Sequence, residues 1–134
     1  MSIASRRRVV LLGATGSIGR QACDVIARHR ERFDVVGVVG GSNVAALGEV
    51  VEQFGVGRAA VVTPAPDTTI PTGWGRGVGA ACEIAALDAD VVLVAITGAA
   101  ALRPALAAIE RGTDIALATK EVMVMAGEDR KSNV

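Results

Sequence analysis

Short apolar runs recur along the chain, and each of them ends at a glycine or a polar residue. Their length and their content of Val, Leu and Ile are typical of strands that are buried on both faces of a parallel sheet. Stretches with apolar residues at helical spacing separate the runs, so consecutive runs form βαβ units. The pattern predicts five strands, at 8–12, 34–40, 58–62, 90–96 and 114–118.

Four helices are predicted between these strands. The first begins at Ser17 and ends before Phe33. The second is capped by Asn43 and places one apolar stripe against the sheet, and the third is expected at 80–87. The fourth is marked by three apolar residues at helical spacing, Leu102, Leu106 and Ile109.

The alternation of strands and helices continues through the chain. Residues 63–79, which contain three prolines and four glycines, interrupt it without ending it, so we interpret them as a surface excursion within one domain. The expected fold is a single α/β domain with a Rossmann-like, doubly wound and mainly parallel sheet. Its predicted bounds are 1–127, followed by a polar C-terminal tail at 128–134.

Composition and charge reduce the number of functional classes to which this chain can belong. Lys plus Arg equal Asp plus Glu at 14 each, which removes the positive charge expected of a protein that binds nucleic acid. No apolar run approaches the roughly 18 residues that a membrane-spanning helix needs. Cys23 and Cys82 lie far apart without a CxxC motif, so neither a zinc site nor a redox pair is expected. We therefore expect a cytoplasmic protein that binds neither nucleic acid nor membrane.

The loop after the first predicted strand is "GATGSIG", with glycines at 13, 16 and 19. Such glycines let the backbone approach a pyrophosphate, and the N–H groups at the start of the next helix favour an anion. A tight turn between packed elements is the alternative, since GxxGxxG differs from the usual GxGxxG spacing. The position between a strand and an amphipathic helix favours dinucleotide binding.

The loop after the second predicted strand, "GGSN" at 40–43, contains no Asp or Glu. NAD-specific Rossmann proteins place an acid there to bind the ribose hydroxyl, whereas NADP carries a phosphate at that position. The loop therefore favours NADP over NAD, although it contains no Lys or Arg. The alternative for Asn43 is an ordinary helix cap.

A charged pair, Lys120 and Glu121, follows the last predicted strand inside an apolar stretch. An unpaired charge is costly to bury, so the pair is either placed there for a function or exposed as a weak ion pair. The residues alone leave both alternatives open. Glu128 and Asp129 are adjacent and lack the spaced oxygens that a hard cation needs, so no metal ligand is predicted in this chain.

Four segments, taken together and in this order, resemble the NADPH-binding domain of the 1-deoxy-D-xylulose 5-phosphate reductoisomerase family. They are "LLGATGSIGRQACDVI", "VVGVVGGSNVAAL", "AITGAAALRPALAAI" and "LATKEVMVMAG", and the resemblance extends over residues 8–127. It implies an NADPH-dependent oxidoreductase that isomerises the carbon chain of 1-deoxy-D-xylulose 5-phosphate and reduces the product. The resulting compound is 2-C-methyl-D-erythritol 4-phosphate, in non-mevalonate isoprenoid biosynthesis. Full-length members use Mg²⁺ or Mn²⁺, and a homodimer is compatible with the resemblance.

The resemblance also implies roles for individual residues. Thr119 and Glu121 would lie beside the nicotinamide half of NADPH, and Lys120 would contact the sugar-phosphate substrate. Seven further residues would bind the pyrophosphate, the adenosine and the ribose 2′-phosphate: Thr15, Gly16, Ser17, Ile18, Gly41, Ser42 and Asn43.

The end of the chain at Val134 shapes the expected activity. The family's metal-binding acids, flexible lid and C-terminal helical domain are expected to be absent, as in a truncated or frameshifted product or an incomplete gene. We therefore expect NADPH binding without turnover and assign no catalytic residue. Two alternatives remain open. One is another GxxGxxG dehydrogenase domain, related to aspartate-semialdehyde or homoserine dehydrogenase, and the other is a non-catalytic nucleotide-binding module.

Overall fold

The structure, a computed structural model, describes residues 6–96 and 101–118. Strands and helices alternate along them, as the apolar pattern predicts. In chain order the elements are β1 (Arg7–Leu12), α1 (Ser17–Arg28), β2 (Phe33–Gly40), α2 (Val44–Phe54), β3 (Ala59–Val61), β4 (Gly75–Arg76), α3 (Gly77–Ala85), β5 (Val91–Val94), α4 (Leu102–Arg111) and β6 (Asp114–Leu117). None of the described helices is long and apolar enough to cross a membrane.

The six described strands lie parallel in one sheet, in the order β4-β3-β2-β1-β5-β6. The chain runs outward from β1 to β4 and then returns to the other side of β1 with β5. The order therefore reverses between β1 and β5. A ligand of such a sheet binds outside the carboxyl ends of the strands at this reversal.

Two apolar clusters cover the two faces of the sheet. Leu11 and Val38 pack with α1 and α2 on one face, whereas Leu12 and Val39 pack with α3 and α4 on the other. Full burial of a Val or Leu side chain stabilises a fold by about 1.5–3 kcal/mol. Because both clusters are extensive, the sheet holds helices on each face, which confirms the doubly wound α/β fold.

The prediction of five strands is wrong in one respect, because the stretch rich in Pro and Gly contains a sixth. Gly75, in β4, lies beside Ala60 of β3 in parallel register. A Cβ atom at position 75 would lie 2.5 Å from the Cβ of Ala80, so only glycine lets α3 pack here. The third helix consequently begins at Gly77 instead of at 80. A two-residue Gly-Arg strand carries no apolar periodicity, and the sequence pattern therefore does not reveal it.

The fourth helix is confirmed, but the apolar stripe that marks it faces outward. Pro104 and Ala108 are the buried residues of α4. Four large apolar side chains of α4 and β6 are between 46% and 63% exposed: Leu102, Leu106, Ile109 and Leu117. The helical period identifies α4 without identifying which of its sides meets the sheet.

Contacts between Arg8 and Asp90 tie the amino ends of β1 and β5 together. The N–H of Asp90 donates to the carbonyl of Arg8 at 2.8 Å, and the N–H of Arg8 donates to Oδ2 of Asp90 at 2.8 Å. This second bond is the main reason why the pKa of Asp90 lies below its usual value. The Arg8 guanidinium lies 3.1 Å from Asp88 and 3.6 Å from Asp90. These exposed charges lie at the edge of the sheet opposite to the loop that contains Gly13, Gly16 and Gly19, called the glycine loop below.

Candidate cofactor site

The glycine loop between β1 and α1 folds back over the carboxyl end of the neighbouring strand. The N–H groups of Gly13 and Ala14 both donate to the carbonyl of Val39 at the end of β2, at 2.8 and 2.9 Å. Gly13 has a φ of +89°, and a Cβ atom there would lie 2.5 Å from Cγ2 of Ile96. Position 13 therefore requires glycine both for its backbone conformation and for its contact with the end of β5.

The other two glycines of the loop have opposite surroundings. A Cβ atom at Gly19 would lie 2.0 Å from the carbonyl oxygen of Gly13, so α1 rests directly on the loop backbone. At Gly16 no atom of the described residues lies within 4 Å of the corresponding position. Gly19 is thus a packing glycine, whereas Gly16 borders open space at the start of α1 that a ligand can enter.

The N-terminus of α1 has no side-chain cap and no acidic residue in its first turn. The first bond of the helix joins the N–H of Arg20 to the carbonyl of Gly16 at 2.8 Å. The N–H groups of Ser17 and Ile18 precede this bond and have no acceptor within the helix. Together with the helix dipole, they form a site that favours an anion.

The loop at 40–43 lies beside the glycine loop. A Cβ atom at Gly40 would lie 3.5 Å from the side-chain oxygen of Thr15, which measures how close the two loops come. The N–H of Thr63 donates to the carbonyl of Gly41 at 2.9 Å and holds the loop against the end of β3. Asn43 caps α2, since its Oδ1 accepts the N–H of Ala46 at 3.0 Å. Asn43 is therefore the N-cap of α2, and its side-chain NH2 group remains a hydrogen-bond donor that the cap does not use.

A narrow crevice of about 120 Å³ opens between these loops at the reversal of the strand order. Its walls are mainly apolar. They include Gly13 and Gly41 from the two loops, and Thr63 and Ile96 from just beyond β3 and β5. Neither Thr63 nor Ile96 was predicted as a site residue, although Thr63 directly follows the third predicted strand and Ile96 ends the fourth, at the edge where ligands of such sheets bind.

The structure brings seven of the ten predicted site residues to one edge of the sheet, in the two neighbouring loops at 15–18 and 41–43. Thr119, Lys120 and Glu121 lie outside the described residues, as do the loop at 97–100 and the domain boundary predicted at 127. Within 6–96 and 101–118, no group of three His, Cys, Asp or Glu side chains could hold a metal ion.

The two cysteines are free thiols. Cys23 lies in α1 beneath the glycine loop, and burial raises its pKa to about 11. Since the thiolate is the nucleophilic form, Cys23 is an inert core residue at neutral pH. Cys82 is half-buried on α3. Neither takes part in a disulfide or a metal cluster within the described part of the chain.

Comparisons with known proteins identify relatives of this chain. The 1-deoxy-D-xylulose 5-phosphate reductoisomerase of Bradyrhizobium sp. (strain BTAi1 / ATCC BAA-1182) is 43% identical over 132 residues, which are 93% of this chain and 32% of that protein. The enzyme of the same name from Leifsonia xyli subsp. xyli is 44% identical, over 92% of this chain and 30% of that protein. The chain thus spans about a third of the length of these relatives.

Solved structures agree with the sequence comparison. The reductoisomerase from Zymomonas mobilis in complex with NADPH matches with a TM-score of 0.74 and 31% identity, over 96% of this chain and 37% of that one. A reductoisomerase in complex with NADPH, fosmidomycin and magnesium matches with a TM-score of 0.74 and 30% identity, over 93% and 34% of the two chains.

The match to the family as a whole bears on one alternative that the residues left open, a different GxxGxxG dehydrogenase. The family model for 1-deoxy-D-xylulose 5-phosphate reductoisomerase matches residues 9–127, nearly the range over which the four segments resemble it. This range includes both loops of the candidate site, so a relative of aspartate-semialdehyde or homoserine dehydrogenase is not supported. The chain belongs to the 1-deoxy-D-xylulose 5-phosphate reductoisomerase family.

Proposed function

We propose that this chain binds NADPH at the carboxyl edge of its sheet, as the nucleotide-binding part of a reductoisomerase. The observation that carries the proposal is the uncapped N-terminus of α1, which borders open space at Gly16 beside a second loop that contains no acid. Two related structures of this fold are described as complexes with NADPH. When bound, NADPH supplies a hydride, and the residues of this chain bind and orient it.

The pyrophosphate is proposed to lie at the start of α1. The N–H groups of Gly16, Ser17 and Ile18 would donate to its oxygens, and the lack of a Cβ atom at Gly16 leaves room for close approach. Thr15, whose hydroxyl faces the end of β2, would contact the adjoining adenosine ribose. The adenine ring is proposed to enter the apolar crevice of about 120 Å³ between Gly41, Thr63 and Ile96.

The ribose 2′-phosphate is proposed to lie at the loop 40–43. Gly41 and Ser42 are exposed there, and no described atom would contact a Cβ at Gly41, so the backbone is open to a ligand. Asn43 uses its Oδ1 for the helix cap, so its NH2 group is the part that can donate to a phosphate oxygen.

The roles of the remaining predicted residues are proposals of the same kind. Thr119 and Glu121 would lie beside the nicotinamide, and Lys120 would bind the phosphorylated sugar substrate, 1-deoxy-D-xylulose 5-phosphate. Because the described residues contain no cluster that fits a metal ion, no step through Mg²⁺ or Mn²⁺ is assigned to them. We propose that the complete reaction needs residues that the relatives carry in the other two thirds of their length.

Two further features belong to the same proposal. A cytoplasmic location is in line with the two free cysteines, since disulfides are rare in that compartment. A homodimer is supported by the exposed apolar side chains of α4 and β6. Sedimentation equilibrium of the purified chain tests the dimer, and a single species at monomer mass contradicts it.

Fluorescence titration of NADPH with the 134-residue chain tests the proposed function. We expect saturable binding with a Kd in the micromolar range or tighter. NADPH at a hundred times its Kd should stabilise the fold by about 2.7 kcal/mol, seen as a higher unfolding midpoint. Absence of both effects contradicts the proposal. We expect no oxidation of NADPH after addition of 1-deoxy-D-xylulose 5-phosphate and Mg²⁺, and turnover would contradict the need for further residues.

A further inference from the structure

The proposed 2′-phosphate site lacks a positive charge in its own loop. A phosphate monoester carries between one and two negative charges at neutral pH, and a basic side chain commonly balances them in a binding site. Residues 40–43 are Gly, Gly, Ser and Asn, so the backbone and neutral side chains are their only donors. If the loop binds this phosphate, the cation must come from another element.

Arg20 borders a groove that leads to this loop. The groove has a volume of about 310 Å³ and lies between α1 and α2. Thr15 and Ala46 line it together with Arg20. Ala46 is the residue whose N–H is capped by Asn43, so the groove reaches the first turn of α2, directly after the loop.

The packing of α1 places Arg20 on the side of the helix that faces α2. Gly19 rests on the carbonyl of Gly13, and Arg20 lies about 100° further round the helix, on the side of α2. Helical side chains lean toward the N-terminus of their helix. The N-terminus of α1 is at the carboxyl edge of the sheet, so a side chain at position 20 that follows this tendency extends toward the two loops.

The guanidinium of Arg20 forms no ion pair with the other described residues. Asp24, one turn further along α1, is paired with Arg28 instead. Glu49 of α2 also lines the groove without an ion pair among the described side chains, and it is the carboxylate that competes with a phosphate for Arg20. Arg20 is therefore a charged donor at the entrance of the proposed site that no other described side chain neutralises.

We propose that Arg20 supplies the positive charge that binds the 2′-phosphate of NADPH and thereby makes the site prefer NADPH to NADH. This inference rests on the proposed function. It differs from that proposal in the residue it names, which belongs to α1 and not to the loop after β2.

Dissociation constants of NADPH and NADH for three variants test the inference. Arg20→Ala should weaken NADPH binding by about ten- to hundredfold, the range of one hydrogen bond to a charged group, and should leave NADH binding within about twofold. Arg20→Lys should retain part of the preference. Arg32→Ala is the matched control, because it removes an exposed guanidinium before β2 at the opposite edge of the sheet. It should change neither constant.

The outcomes separate the inference from the proposed function. If the unsubstituted chain binds neither cofactor, the proposed function itself fails. If it binds NADPH and Arg20→Ala binds NADPH equally well, or loses affinity for both cofactors to the same extent, Arg20 does not recognise the 2′-phosphate. Competition by 2′,5′-ADP and by 5′-ADP gives an independent readout, and only the first should lose affinity in Arg20→Ala. Circular dichroism verifies that each variant is folded, and Arg20→Lys keeps the test decisive if the alanine variant unfolds.

Discussion

Substitution of Gly19 by alanine should disrupt the glycine loop from inside the fold. The new Cβ atom would lie 2.0 Å from the carbonyl oxygen of Gly13 and 2.7 Å from the carbonyl carbon of Ala14. Ordinary contact begins at about 3.4 Å, so α1 and the loop must separate by about 1.4 Å. Such overpacking costs about 1–3 kcal/mol, and the better helix propensity of alanine offsets up to about 1 kcal/mol of it.

The displacement of the loop should also weaken the binding of NADPH. The N–H groups of Ser17 and Ile18 move with α1, and a shift of about 1 Å is enough to spoil hydrogen bonds to a pyrophosphate. We therefore expect Gly19→Ala to lower the free energy of unfolding by about 1–2 kcal/mol and to weaken NADPH binding at least tenfold. Urea unfolding and fluorescence titration measure the two effects on the same sample.

Two other glycines provide matched controls for this substitution. Gly16→Ala meets no described atom within 4 Å, so it should cost at most about 1 kcal/mol as a change of N-cap. Its methyl group would nevertheless enter the space proposed for the pyrophosphate and should weaken binding. Gly79→Ala lies inside α3 with open space around it, and it should stabilise the chain by about 0.5–1 kcal/mol without changing binding. A Gly19→Ala chain with the same free energy of unfolding and the same NADPH affinity as the unsubstituted chain would contradict this steric explanation.

Three further predictions concern the surroundings of the site. Asp90→Asn should lower stability at neutral pH. The N–H of Arg8 donates to the Asp90 carboxylate and lowers its pKa, so the ionised carboxylate stabilises the fold. In acid unfolding titrations, the difference in free energy of unfolding between the two chains should be present at a pH above the usual pKa of a carboxyl group. It should vanish as the pH falls through the lowered pKa. Cys23 should resist iodoacetamide at pH 8 in the folded chain, since burial raises its pKa to about 11, whereas half-buried Cys82 should react, as peptide mass spectrometry would show. Asn43→Ala should cost about 1 kcal/mol through loss of the α2 cap, and Asn43→Ser should recover most of it in urea unfolding.

The order of strands and helices could be predicted from the sequence because each long strand is buried on both faces and is therefore continuously apolar. The cap at Asn43 correctly predicted where α2 begins, whereas α3 begins and ends earlier than the predicted 80–87. β4 escaped prediction because Gly75 and Arg76 form a strand only through pairing with β3. The exposure of the apolar side of α4 was not predicted for a related reason. Periodicity shows that one side of a helix is apolar, but tertiary packing decides whether that side is buried.

The candidate site was predictable where its chemistry lies in the backbone. Glycines after the first strand and small residues after the second mark the two loops directly. Arg20 and Thr63 could not be assigned in this way, because their positions depend on how α1 rotates against Gly13 and how β3 pairs with β2. Residues 119–121, the third part of the predicted site, stay a prediction.

Mapping of NADPH binding by NMR tests the central claim most directly, since it reports both whether the chain binds the cofactor and where. Backbone amide spectra of the labelled 134-residue chain would be recorded during a titration with NADPH. The largest shift changes are expected at Gly16, Ser17 and Ile18, with a second group at 41–43. Saturating NADPH that leaves both groups unchanged, or that shifts only amides at the amino edge around Arg8, would contradict the account.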